Sequence, residues 1–188
     1  MFPWARRAAT LLWLAYPLLA MWGLQRLGPR WLAVVVGLAL LARTLLPHSA
    51  RRSLLPAGWL LAGGLALAVL AWAANDAVPL KLYPVAMNAA LLAVFGYSLR
   101  RPPSAVERIA RLARPDLSAQ GVAYTRRVTQ AWCVFFALNG SVALVITLFC
   151  SDSAWAIYNG GIAYGLIGLL FAVEWLVRQR VLGSSPHA

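Results

Sequence analysis

AWCVFFALNGSVALVITLFC, residues 131–150, contains no charged side chain. A helix rising about 1.5 Å per residue spans about 30 Å over such a stretch, the depth of the hydrocarbon layer of a bilayer. A helix apolar on every side must face lipid or other helices, so this stretch reads as a transmembrane span. Runs of the same kind recur at about 8–24, 31–46, 56–74 and 82–99 upstream, and at about 155–177 downstream. The expected architecture is therefore all-α: a polytopic membrane helix bundle with about six transmembrane helices, forming a single transmembrane domain over residues 1–188.

Composition points the same way. The chain is 62% hydrophobic and 12% charged, with a mean hydropathy of +0.71, whereas soluble domains carry about a quarter charged residues. A net charge of +12 raises the question of nucleic acid. A nucleic-acid module gathers its cations on one folded surface, whereas here they fall between apolar spans, so no nucleic-acid partner is expected. The first run follows Arg6 and Arg7 and has Pro17 near its middle. Its end, Trp22-Gly23-Leu24-Gln25, lacks a small-x-small cleavage pattern, which predicts a retained helix kinked at Pro17 and not a signal peptide.

Basic loops resist translocation, so the distribution of cations predicts orientation. With the N-terminus inside, the cytoplasmic set is Arg6, Arg7, Arg43, Arg51, Arg52, Arg100, Arg101, Arg108, Arg111, Arg114, Arg126, Arg127, Arg178 and Arg180. Only Arg26, Arg30 and Lys81 fall on the other side. This asymmetry predicts six spans with both termini in the cytoplasm. Trp22, Trp31, Trp72, Tyr83, Trp155 and Tyr158 fall at the outer ends of spans, with Trp59, Tyr97, Trp132 and Trp175 at the inner ends, as interfacial aromatics do.

The longest polar segment, about residues 100–130, has organisation of its own. Pro102-Pro103 closes the fourth span, and Ser104-Ala105-Val106-Glu107 matches a capping box, predicting a helix over about 105–114 that Pro115 stops. At 100° per residue Val106, Ile109, Ala110, Leu112 and Ala113 share one face, and Glu107, Arg108, Arg111 and Arg114 the other. That pattern predicts an interfacial amphipathic helix on the inner leaflet. Arg108, Arg111 and Arg114, with Arg126 and Arg127 further on, are candidates for contact with anionic lipid or an acidic partner. The alternative is a helix that packs on the bundle and enforces topology. Residues 115–127 read as a turn and a second basic approach to the fifth span.

Cys133 and Cys150 lie about 25 Å apart on one predicted helix and cannot bridge within the chain. His48 and His187 stand apart from them. No cluster of His, Cys and carboxylate forms a metal-site pattern, and neither a metal nor a cofactor is expected. No Gly-x-Ser-x-Gly elbow, His-Glu-x-x-His pair or phosphate-cradling loop argues for catalysis.

The amide and carboxylate groups singled out within the spans are Asn88, Asn139, Asn159 and Glu174. Glu174 precedes Arg178 by one turn, which predicts an i,i+4 pair. The asparagines stand in Met87-Asn88, Asn139-Gly140 and Asn159-Gly160-Gly161, where small neighbours allow close backbone approach and an amide can bond across the gap. Two readings follow. The amides are interhelical glue, or they line a pocket open to the outer side, with Asp76, Lys81, Tyr83 and Tyr158 at its mouth, that holds a lipid head group or an acyl product.

The series Asn75-Asp76-Ala77-Val78-Pro79-Leu80-Lys81-Leu82-Tyr83-Pro84, Met87-Asn88, Pro102 to Arg108, Ala110-Arg111-Leu112 and Pro115-Asp116-Leu117 resembles a family of uncharacterised bacterial inner-membrane proteins. Tyr124-Thr125-Arg126, Thr129, Trp132, Phe135-Phe136, Asn139-Gly140 and Tyr158-Asn159-Gly160 continue the resemblance, over about residues 75–180. Members are often encoded beside fatty-acid-synthase-like or aryl-polyene pigment genes, which implies an envelope-lipid or acyl-product role. The order of spans and loops is more distantly similar to the intracellular septation protein A family, which implies envelope organisation through protein contacts. The Asn-Gly pairs depart from that second pattern.

Two functions are thus in view. The first is a non-enzymatic accessory or scaffold protein of the inner membrane, supporting envelope or lipid-related assembly, with membrane lipids and other inner-membrane proteins as partners. The second is a lipid- or acyl-product-handling protein, a transport component or enzyme, working at the asparagine pocket.

Overall fold

The computed structural model describes residues 28–38, 41 and 57–183. Among the described residues every element is helical and no strand occurs. In chain order they are α1 (Gly28–Leu38), α2 (Ala57–Ala74), α3 (Val78–Lys81), α4 (Tyr83–Arg100), α5 (Ala105–Ala113), α6 (Ala119–Phe149), α7 (Asp152–Ile157), a π-helical turn (Tyr158–Ile162) and α8 (Ala163–Gly183). Three stretches, Val78–Arg100, Ala119–Phe149 and Asp152–Arg180, are long and apolar enough to cross a membrane. Gly28–Leu38 and Ala62–Ala74 are shorter apolar helices. This is the make-up of a membrane protein. The expected span at 8–24 with its kink at Pro17, most of the end of the span expected at 31–46, the cations Arg6, Arg7, Arg26, Arg43, Arg51 and Arg52, and both histidines lie outside the described residues.

Helix ends follow from local chemistry. α2 stops at Asn75, whose φ of 51° is a left-handed conformation that Asn tolerates better than most side chains. The Asn75 and Asp76 amides donate back to Trp72 O (3.4 Å) and Ala71 O (3.2 Å), the paired closure of a Schellman turn. Asp76 Oδ1 then accepts from the Val78 amide at 2.9 Å, and Pro79 occupies the first turn of α3, where its missing N–H costs nothing. The span expected at about 82–99 is met by α4 from Tyr83 to Arg100, and Leu82 caps the end of α3 just before it.

The largest difference from the sequence reading is at α6. Its helix begins at Ala119, not near Ala131, because Ser118 Oγ accepts from the Gly121 amide (3.2 Å) and caps the start. Polar Thr125 and Thr129 fit this extension by returning their hydroxyls to Val122 O (2.9 Å) and Thr125 O (2.8 Å).

Internal contacts divide the chain into two compact units. The first joins the described residues up to Met87 with Gly140–Ala163; the second joins Asn88–Asn139 with the residues from Tyr164 onward. In the first, Trp155 is buried with Leu32, Ala33, Ala68, Ala71, Leu80 and Ala156. A second cluster there sets Tyr158 against Ala143 and Ala163. The many alanines let helix backbones approach closely, the usual means of packing where solvent is as apolar as the side chains. The second unit is built on aromatic edges: Trp132 meets Phe171 at 4.9 Å and Phe136 at 5.5 Å, and Phe136 meets Phe95 at 5.2 Å. Such offset contacts suit the ring quadrupoles. Outward-facing side chains are apolar, including Leu138, Leu148, Phe149 and Leu169, as a lipid-solvated surface requires.

Candidate functional site

In the first unit the polar side chains converge on Lys81. Its ammonium pairs with Asp152, and its backbone carbonyl accepts from Trp155 Nε1 at 3.1 Å and Thr147 Oγ1 at 3.4 Å. Lys81 ends α3, so its carbonyl is among those a helix terminus leaves open. Three partners from α6 and α7 thereby fasten the α3 corner. Trp155, expected at the membrane interface, is instead only 2% exposed, because its indole N–H finds this carbonyl and its ring fills the alanine-rich core. Trp31, Trp72, Tyr97 and Trp175 are exposed, as interfacial aromatics are.

The remaining residues proposed for the pocket mouth are used separately. Asp76 is exposed and turns back to the Val78 amide. Tyr83 is half-buried, and Tyr158 is buried beside Ala143 and Ala163. Asn159 is buried, with its amide donating to Trp155 O one turn earlier at 3.0 Å. The π-helical turn Tyr158–Ile162 falls on the Asn159-Gly160-Gly161 motif. An extra residue in a helical turn frees backbone groups and turns side chains to a new face. Two glycines lower the steric barrier to widening the helix here.

In the second unit Asn139 Nδ2 donates to Asn88 Oδ1 at 3.2 Å, and both residues are buried. α6 is thereby joined to α4 by an amide pair. Tyr124 OH lies 3.2 Å from Glu174 Oε1 and 3.1 Å from Glu174 O. The expected Glu174–Arg178 pair is present at 3.8 Å, so the tyrosine is the nearer partner.

The start of α5 is a docking device that the sequence reading saw only in part. The capping box forms as expected, the Glu107 amide donating to Ser104 Oγ (3.4 Å) and the Ser104 amide to Glu107 Oε2 (3.3 Å). The two donors between them are met from neighbouring helices. The Ala105 amide donates to Ser98 Oγ on α4 (2.9 Å) and the Val106 amide to Thr129 Oγ1 on α6 (3.3 Å). Glu107 is buried and receives a two-pronged bond from Arg111 at 2.8 and 2.9 Å. The apolar Ile109 and Leu112 are exposed, Leu112 by 83%.

Of the five arginines proposed for anionic contacts, three hold loop or helix-end carbonyls. Arg108 Nε donates to Pro103 O, Arg111 to Pro115 O and Arg126 to Leu99 O, each at 2.9 Å. Arg114 and Arg127 are exposed. Beside Arg126, α4 and α6 bound an open groove of about 630 Å³ lined by Leu92, Ala93, Gly96, Tyr97, Leu99, Arg100, Arg126 and Cys133.

Sequence reasoning missed Asp152, Thr147, Ser98 and Thr129. Asp152 was within reach, because in a six-span chain its loop lies on the same side as Lys81, where few charges occur. Ser98 and Thr129 gave no such signal, since one hydroxyl in an apolar helix bonds its own backbone as readily as a neighbour's. Among the described residues no group of three or more His, Cys, Asp or Glu side chains is placed to hold a metal.

The sequence matches no family model, and no curated protein or solved structure matches it.

Proposed function

We propose that this chain is a multi-pass inner-membrane protein of the bacterial envelope that acts as a scaffold or accessory subunit, without chemistry of its own. In this reading it crosses six times with both termini in the cytoplasm, the arrangement that collects fourteen of its seventeen basic residues on one side. α5 lies on the inner leaflet, its exposed Ile109 and Leu112 entering the acyl boundary while Arg108, Arg111 and Arg114 face the head groups.

The observation that carries the proposal is how the buried polar groups are spent. Asn88 and Asn139 bond each other, Asn159 bonds its own helix, and Tyr124 and Glu174 join α6 to α8. Among the described residues no buried side-chain nitrogen or oxygen lacks a partner. Polar groups used in this way position helices, and an ordered apolar exterior then serves for contacts with lipids and other membrane proteins.

Mass spectrometry of the protein extracted in native membrane patches tests this. A protein partner in fixed stoichiometry is expected; recovery of the chain alone with bulk lipid overturns the scaffold. The second reading, handling of a lipid or acyl product by a transport component or enzyme, draws support from the π-helical turn at Asn159, since such turns recur at functional sites. Under it, replacing Asn88, Asn139 and Asn159 with Leu abolishes product-dependent activity in a folded protein. Under the scaffold reading partner recovery survives that change.

A further inference from the structure

The groove between α4 and α6 joins two features that ordinary lipid-facing surface does not combine. Its walls are apolar and its floor is low, because Ala93 and Gly96 carry little or no side chain; a Cβ built on Gly96 meets no atom within 4 Å. Two cations from different helices meet at one end, Arg100 at the last residue of α4 and Arg126 on α6. Arg126 is held in place by its bond to Leu99 O, which uses only part of the guanidinium's donor fork. Tyr97 lines the groove with Arg101 stacked on its ring at 5.6 Å.

From Arg100 to Leu92 α4 covers about 12 Å along its axis. The groove therefore leads from a cationic rim into apolar depth over most of a leaflet's acyl region. Charge and shape together match one occupant. We propose that it is a binding site for a phospholipid with a net negative head group, the phosphate between Arg100 and Arg126 and an acyl chain lying over Gly96 toward Cys133. Guanidinium groups favour phosphate oxygens through paired N–H donors. The basic end of α4 is also the end that the charge distribution assigns to the cytoplasmic leaflet, where anionic lipids gather. The proposal goes beyond the scaffold role and takes from that reading only the orientation in the membrane.

The test uses the full-length protein reconstituted in bilayers of equal phosphatidylglycerol and phosphatidylcholine, followed by detergent exchange and counting of retained lipid by native mass spectrometry. Wild type is expected to retain phosphatidylglycerol about tenfold or more over phosphatidylcholine, two near-surface cations each contributing about fivefold. Gly96→Leu puts a side chain on the floor at a position where an added Cβ meets no atom within 4 Å, and should bring the ratio close to one. Arg100→Gln with Arg126→Gln should lose the head-group preference, while Arg30→Gln, outside the groove, should keep it. Equal retention of both lipids by wild type, or an unchanged ratio in helical Gly96→Leu protein, overturns the site. Displacement of the retained lipid by millimolar inorganic phosphate also overturns it, in favour of a simple anion site. If the double arginine variant fails to fold, Gly96→Leu still decides the matter, and none of these outcomes bears on the protein-partner measurement.

Discussion

Lys81 and Asp152 stand 71 positions apart in the chain and form an ion pair, while the Lys81 carbonyl holds the indole of Trp155. One residue thus ties the corner before α4 to the corner after α6 through both its side chain and its backbone. The Asp152 side chain is 55% exposed, so solvent and salt screen the pair. Asp152→Asn is expected to cost only about 0.5–1 kcal/mol. Trp155→Ala removes the largest buried side chain of that core and should cost about 3–5 kcal/mol. Melting in detergent, followed by circular dichroism, should rank the two in that order, and a reversed order would show the ion pair to be the main tie.

For the amide pair, Asn88→Leu or Asn139→Leu alone leaves the other amide without its bond across the helices. Each single change is expected to lower stability by about 1 kcal/mol, at the upper side of intramembrane hydrogen bonds. The double variant should lose less than the sum of the two, because the stranded partner is gone. Additive losses in the same melting assay would mean that the bond at 3.2 Å contributes nothing of its own.

The docking of α5 gives a proteolysis test. Ser104→Ala removes the cap and should cost about 1 kcal/mol, raising the open population of this segment about fivefold. Thr129→Val strands the Val106 amide and should act similarly. Trypsin cleavage at Arg108 and Arg111 should accelerate in both variants while cleavage elsewhere keeps its wild-type rate. Unchanged cleavage in both would show that the hydroxyls do not hold the helix.

The π-helical turn makes a register prediction. The wide turn takes up one residue more than an α-helical turn, so deleting Gly161 should return Tyr158–Ile162 to α-helical winding with Trp155 and the start of α8 kept on their present faces. The packing of Trp155 is then kept, and the cost should stay near about 1 kcal/mol. Gly161→Ala, whose Cβ meets no atom within 4 Å, should be tolerated. A loss of about 3 kcal/mol or more on deletion would show that the flanking faces had turned.

Topology is checked with a reporter active only outside the cytoplasm. Fusion after Val78 should be active and fusion after Arg114 inactive. The opposite pattern would remove the orientation on which the inner-leaflet assignment of α5 rests.

The helical class, the spans near 82–99, 131–150 and 155–177, and the cap of α5 were all readable in the amino-acid sequence, and the reason is common to them. Each is a local property, set by the length of an apolar run against a fixed hydrocarbon depth or by donors and acceptors a few residues apart. The early start of α6 at Ala119 was hidden, because Arg126, Arg127 and two threonines look like a loop until a Ser cap and back-bonded hydroxyls make them helical. Which polar groups meet was decided only by the tertiary structure. A helical period shows that Ser98, Asn88 or Thr129 lies on a given face, but not which neighbour that face meets. Lys81 with Asp152, Asn88 with Asn139, Tyr124 with Glu174, and the α5 amides with Ser98 and Thr129 exist because helices remote in sequence pack at one height and rotation. That geometry is selected by the packing of the whole chain and is written in no single segment of it.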